Sequence, residues 1–181
     1  IDELADLDQR GPAAVAHERP QLDACDLSDI VAANATIARY SGESSIAFSF
    51  PSKHHWVLAN RVILSQVVGN LFSNAVEAIT ATGRGSGSIS VSIHDKEGRV
   101  ELVIRDDGEG FDPEAAATLF QRGFSTRGHK SGWLGLHWCA NSMVAMAGAL
   151  ELMSEGKGHG ARAVIALKAA PMLAEERELA A

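Results

Sequence analysis

The chain has 181 residues, 46% hydrophobic and 22% charged, which is enough for one domain with a sizeable core. Its Lys+Arg count of 16 against 23 Asp+Glu gives a net charge of −7 with no basic block, which excludes a nucleic-acid footprint and a nucleic-acid partner. No apolar run approaches the ~20 residues of a spanning helix and no signal peptide opens the chain, so no membrane contact is expected of it.

Cys25 and Cys139 make no metal or disulfide pattern and suit a reducing, cytoplasmic compartment. Opening on Ile1 rather than Met, the chain reads as part of a longer protein, with any membrane anchor or sensor outside it. Residues 1–25 are polar, with Pro12 and Pro20 interrupting any long helix, and read as a linker or the tail of an upstream dimerisation segment. The main domain is expected over residues 26–170, with a C-terminal tail at 171–181.

From Asp26 a helix is expected, capped by Asp26 or Ser28, with Leu27, Ile30, Val31, Ile37 and Ala38 on its apolar side and Ser41-Gly42 at its end. Ser45 to Phe50 alternates as a strand and stops at Pro51, and Trp56 to Leu58 reads as a second, short strand. Leu64 to Ile79 is a helix, with Leu64, Val67, Val68, Leu71, Phe72, Ala75 and Ile79 on one face. Asn70, Asn74 and Glu77 fall on another stripe of that helix. Asn is a poor helix former, so two of them one turn apart mark either a solvated face or a site.

Gly83 to Ser88 reads as a glycine-serine turn, and Ile89–His94 with Val100–Arg105 as a hairpin closed by Lys96-Glu97-Gly98. Asp106 to Gly132 is irregular apart from a short helical piece at Pro113–Phe120, and a stretch this long implies a job. Leu136 to Ala147 is an apolar helix, followed by strands at Ala149–Met153 and Ala161–Leu167 around Gly156-Lys157-Gly158. Strand pairs interleaved with helices argue for an α+β sandwich with a mixed, mostly antiparallel sheet and helices on one face.

Three further stretches carry chemistry. Asp106-Asp107-Gly108-Glu109-Gly110 leaves a strand, its glycines letting backbone approach a ligand while Asp106 offers an acceptor. Leu119 to Arg127 holds Phe120 and Phe124 with cations at Arg122 and Arg127. Gly128 to Gly132, then Gly135-Leu136, feed a helix start, an arrangement suited to phosphate.

In this order and spacing the four blocks resemble the N, G1, F and G2 boxes of the histidine-kinase branch of the GHKL ATPase superfamily, and Asn-Ala-x-Glu-Ala at Asn74–Ala78 is similar to its nitrogen-sensor type. The resemblance implies a Bergerat-type two-layer sandwich with a glycine-rich ATP lid, binding ATP and Mg²⁺. It assigns Asn74, with Asn70 or Glu77 in support, to the metal and Asp106 to the adenine amino group, with Gly108 and Gly110 as floor. Phe120, Phe124, Thr126, Arg127, Gly132, Gly135 and Leu136 complete the nucleotide-binding set, and Asn70, Asn74 and Arg127 the catalytic one.

Where the hydrolysing branches place a Glu general base, Asn70 cannot take a proton near neutral pH, so the sequence resembles a protein-histidine kinase. The implied partners are the protein's own dimerisation and phospho-acceptor domain, in a homodimer, and a response regulator. His17 lies too close to Asn70 to be the acceptor on a long helical hairpin. Glu77 where such kinases often carry a cation, Trp133 among the G2 glycines and Ala161 in place of a Thr depart from the pattern. A serine kinase of the anti-sigma-factor type shares the boxes, and a non-catalytic domain docking a response regulator is the further alternative.

Overall fold

In the computed structural model, residues 19–41, 44–120 and 132–171 are described. Strand β1 (Asp23–Asp26) leads into helix α1 (Leu27–Arg39), then β2 (Ser45–Ser49), β3 (Trp56–Ala59) and helix α2 (Arg61–Thr80). The hairpin β4 (Ser86–Lys96) and β5 (Arg99–Asp106) follows, then a 3-10 turn at Pro113–Ala115 running into α3 (Ala116–Leu119). Helix α4 (Gly132–Ala145) and strands β6 (Ala149–Met153) and β7 (Ala161–Lys168) complete the described chain.

Five strands form one sheet in the order β2-β4-β5-β7-β6, parallel between β2 and β4 and antiparallel elsewhere. The hairpin turns where expected, with Glu97 and Gly98 both at positive φ, as a tight primed turn requires. Ile89, Val91 and Ile93 of β4, Val100, Leu102 and Ile104 of β5, and Ala163, Ile165 and Leu167 of β7 all bury one face of the sheet. On β4 the opposite face is polar and exposed at Ser86, Ser88 and Ser90, while on β5 and β7 it carries half-buried Val103, Val164 and Ala166. Helix α2 lies on the apolar face through Leu64, Val67, Val68, Leu71, Phe72, Ala75 and Ile79, all buried, and α1 and α4 pack beside it. The expected sandwich with helices on one face is the observed fold.

Several local expectations shift. Asp23–Asp26 pairs antiparallel with β3, a short polar strand that periodicity does not reveal and that crosses the boundary drawn at residue 25. The turn expected over Gly83–Ser88 contracts, because Ser86, Gly87 and Ser88 already pair with β2. Gly87 is there for space: a Cβ would lie 2.4 Å from Ile79 Cγ2, under the last turns of α2. Helix α4 starts at Gly132, one turn before Leu136. Helix α2, at 20 residues and mean hydropathy 1.3, is long and apolar enough to pass for a spanning segment, against the expectation that no run approaches that; half of it is buried against sheet and helices.

Candidate functional site

Asp106 sits at the end of β5 on the buried face. The alternation Val100, Leu102, Ile104, Asp106 assigns this carboxylate to a core position, where an acidic group costs free energy unless it is hydrogen-bonded. One oxygen accepts the Gly108 N–H at 2.9 Å, which turns the chain sharply out of the strand. The loop then runs under the C-terminal end of α2, where Glu109 N–H donates to Ala78 O at 3.0 Å. Gly108 passes so close to that helix that a Cβ would lie 2.5 Å from the Ala78 carbonyl carbon.

A second glycine turn closes the floor from the β6–β7 side. Gly158 N–H donates to Glu109 O and Gly160 N–H to Gly108 O, while Ser154 Oγ accepts from Phe111 N–H and donates to Gly160 O. Gly110 has φ of +63°, and a Cβ there would meet Gly156 O at 2.4 Å. These contacts demand glycine on both conformational and steric grounds.

Above this floor opens a cavity of about 780 Å³. Asn74, Ala75 and Ala78 of α2 form one wall, Ile104, Asp106, Ala161 and Ala163 the sheet side, and Leu119 and Leu136 the far side. Glu109, Gly110, Phe111, Asp112 and Lys157 stand at its rim. The lining is mainly apolar and small-chained, with a few polar groups converging on it, as in small-molecule sites generally. Asn74 Nδ2 is buried and has no hydrogen-bond partner among the described residues. A donor left in that state costs about 1–3 kcal/mol until an acceptor reaches it.

Of the residues singled out from sequence, Asn74, Asp106, Gly110 and Leu136 line this cavity and Gly108 lies beneath it. Asn70 does not line it; its Nδ2 donates to Cys139 Sγ at 3.5 Å, and Gly135 of α4 lies against it. The buried Cys139 thiol has its pKa raised by desolvation, which keeps it protonated. Glu77 is half-buried on α2, outside the cavity wall. Phe120 packs against the core, and Gly132 is the first residue of α4. Phe124, Thr126 and Arg127, with Arg122, His129 and His17, lie outside the described residues. Phe111, Asp112, Ala115 and Lys157 reach the cavity although no motif marked them; a lysine between two glycines was the one available signal, read only as a turn.

Residues 59–171 match the family described as histidine kinase-, DNA gyrase B-, and HSP90-like ATPase. The chain belongs to that family. Within this ATPase family it is 33% identical over 109 residues to the C4-dicarboxylate transport sensor protein DctB of Pseudomonas aeruginosa, a match covering 60% of this chain and 18% of that protein. It is 30% identical over 153 residues to the C4-dicarboxylate transport sensor protein DctS of Rhodobacter capsulatus, covering 82% of this chain and 22% of the relative. The chain therefore spans about a fifth of the length of these relatives. Among solved structures, the mycobacterial sensor histidine kinase MprB superposes with a TM-score of 0.72 at 24% identity, covering 83% of this chain and 99% of that one, a likeness of fold. Full-length ShkA, crystallised in complex with AMPPNP, superposes with a TM-score of 0.68 at 26% identity, covering 83% of this chain and 32% of that one.

Proposed function

We propose that this domain binds ATP in the cavity between α2 and the sheet and serves as the catalytic domain of a sensor histidine kinase, phosphorylating a histidine outside it. The observation that carries the reading is Asp106, a carboxylate on a core row of the sheet that opens into an apolar cavity. One of its oxygens accepts from Gly108 N–H, which fixes the orientation of the carboxylate, an acceptor suited to an exocyclic amine such as that of adenine. Ala78, Ile104, Ala161 and Ala163 offer flat, small-chained walls for a base. Ala161 stands where a hydroxyl is common in such kinases, so base recognition rests on Asp106 and the walls.

Asn74, one turn of helix from Ala78, suits the phosphate end: its amide has an unmet donor and a hard carbonyl oxygen of the kind that Mg²⁺ accepts. Bound there, Mg²⁺ would neutralise phosphate charge; the chain's residues orient the nucleotide and exclude water. Asn70, held to Cys139, cannot act as a base toward water, in keeping with transfer to a histidine rather than hydrolysis. Arg127, Thr126 and the F-box aromatics belong to the proposal by position in sequence alone. The partners that follow are the protein's own phospho-acceptor dimerisation domain and a response regulator, in the cytoplasm.

Calorimetric titration with ATP, with and without Mg²⁺, tests the reading. One saturable site is expected, and absence of binding at about 1 mM nucleotide, weaker than about −4 kcal/mol, overturns it.

A further inference from the structure

Helix α3 and the turn before it carry Ala115 and Leu119 into the cavity wall, yet α3 is only Ala116–Leu119. Four residues cannot hold a helix by their own hydrogen bonds, so its place depends on what the rest of the fold ties to it. Leu119 is buried, and the next residue, Phe120, offers its carbonyl oxygen to His137 Nδ1 at 3.1 Å. His137 adjoins Leu136 on α4, and Leu136 lines the same cavity.

A carbonyl oxygen only accepts, so Nδ1 must carry the proton. His137 Nε2 lies 3.1 Å from Asn141 Nδ2, one turn further along α4, and accepts from that amide. In the neutral ring both nitrogens are then used, and the tautomer is the Nδ1–H form.

We infer that His137 is a positioning residue for nucleotide binding: bridging the Phe120 carbonyl and α4, it sets how Leu119 and Leu136 sit beside one another on the far wall of the cavity. The inference rests on the proposed nucleotide site, but the tie itself is measurable without nucleotide. Asn141 acts behind it by holding the ring in the donating tautomer. Neither residue touches the cavity, so their effect passes through the wall they hold.

Three variants of the whole chain decide it: His137→Leu, which fills the space without a donor, His137→Gln, which restores one, and Asn141→Leu. Hydrogen exchange without nucleotide is expected to speed up at Ala116–Phe120 in His137→Leu while the amides of α2 keep their protection. ADP and ATP should each bind His137→Leu about fivefold to tenfold more weakly, with most of the loss recovered in His137→Gln. Nitrogen-15 spectra of the wild-type ring should report the Nδ1–H form, and Asn141→Leu should mix in the other tautomer. Unchanged exchange in α3, equal affinity of His137→Leu and wild type, or an Nε2–H ring in the wild type would each overturn the inference. Failure of the wild type to bind any nucleotide would instead remove the proposed function, with the exchange result still deciding the tie.

Discussion

Asp106 and Asn74 contribute different things to one cavity, and substitution separates them. Asp106→Asn keeps the shape but, on the proposed reading, puts an amide where an acceptor would face the base, so ADP and ATP should weaken alike, by about tenfold or more, with or without Mg²⁺. Asn74→Asp should change chiefly the Mg²⁺-dependent part of the affinity, and identical profiles for the two variants in titrations would refute this division of roles. Gly160→Ala acts on the floor: at φ of +70° its Cβ would stand 2.0 Å from Asp106 O, and a stability loss of about 3 kcal/mol or more is expected in chemical denaturation. Asn74, Asp106 and the two floor glycines of the same loop were legible because each belongs to a local pattern. The seat of Asn70 was not, since Gly135 and Cys139 reach it from a helix far along the chain, and no local periodicity records such a contact.

Among the elements, the start of α1 was legible because its cap is written in adjacent residues, whereas α2 begins at Arg61, ahead of the expected Leu64, and α4 at Gly132, ahead of Leu136. Asp26 caps α1 by accepting from Ser28 N–H, and Asn60 caps α2 by accepting from Ile63 N–H, with its amide also donating to Gln21 O. Asn60→Ala should cost about 1 kcal/mol, read as a shift of the urea midpoint at unchanged slope. At the head of α1, Asp26 also binds His54, and this hydrogen bond, reinforced by the charges of Asp26 and Asp29, raises the histidine's pKa. Protonated His54 is thus favoured by folding. Its contribution is full below the unfolded pKa near 6.5 and disappears as pH climbs through the raised folded value. Replacing His54 by Ala should lower the melting temperature at about pH 5.5 and leave it nearly unchanged at about pH 9; the reverse order would contradict the pairing. Strand β1 was missed because an isolated two-stranded pairing over Asp23–Asp26 has neither length nor alternation to announce it.

For the molecule as a whole, the order of helices and strands gave the layers, while the lateral order β2-β4-β5-β7-β6 had no signature in sequence. The parallel contact of β2 with β4 depends on α2 and β3 crossing between them, which composition cannot specify. A ligand that binds only the folded state should raise the melting temperature in step with its concentration. Scanning calorimetry across an ATP series should show such a rise, and a flat response would speak against binding to the native domain.

The floor of the cavity joins the Asp106–Gly110 loop to the Gly156–Gly160 loop, two stretches that meet only when β5 has found β7. Pairings between such distant segments make for slow folding, typically milliseconds to seconds. An early collapsed chain would thus hold the helices and the β4–β5 hairpin yet have nowhere to place a nucleotide. Binding competence should return in the same kinetic phase as native tryptophan fluorescence. Nucleotide present from the start of refolding should then leave the folding rate alone and lengthen only the lifetime of the native state.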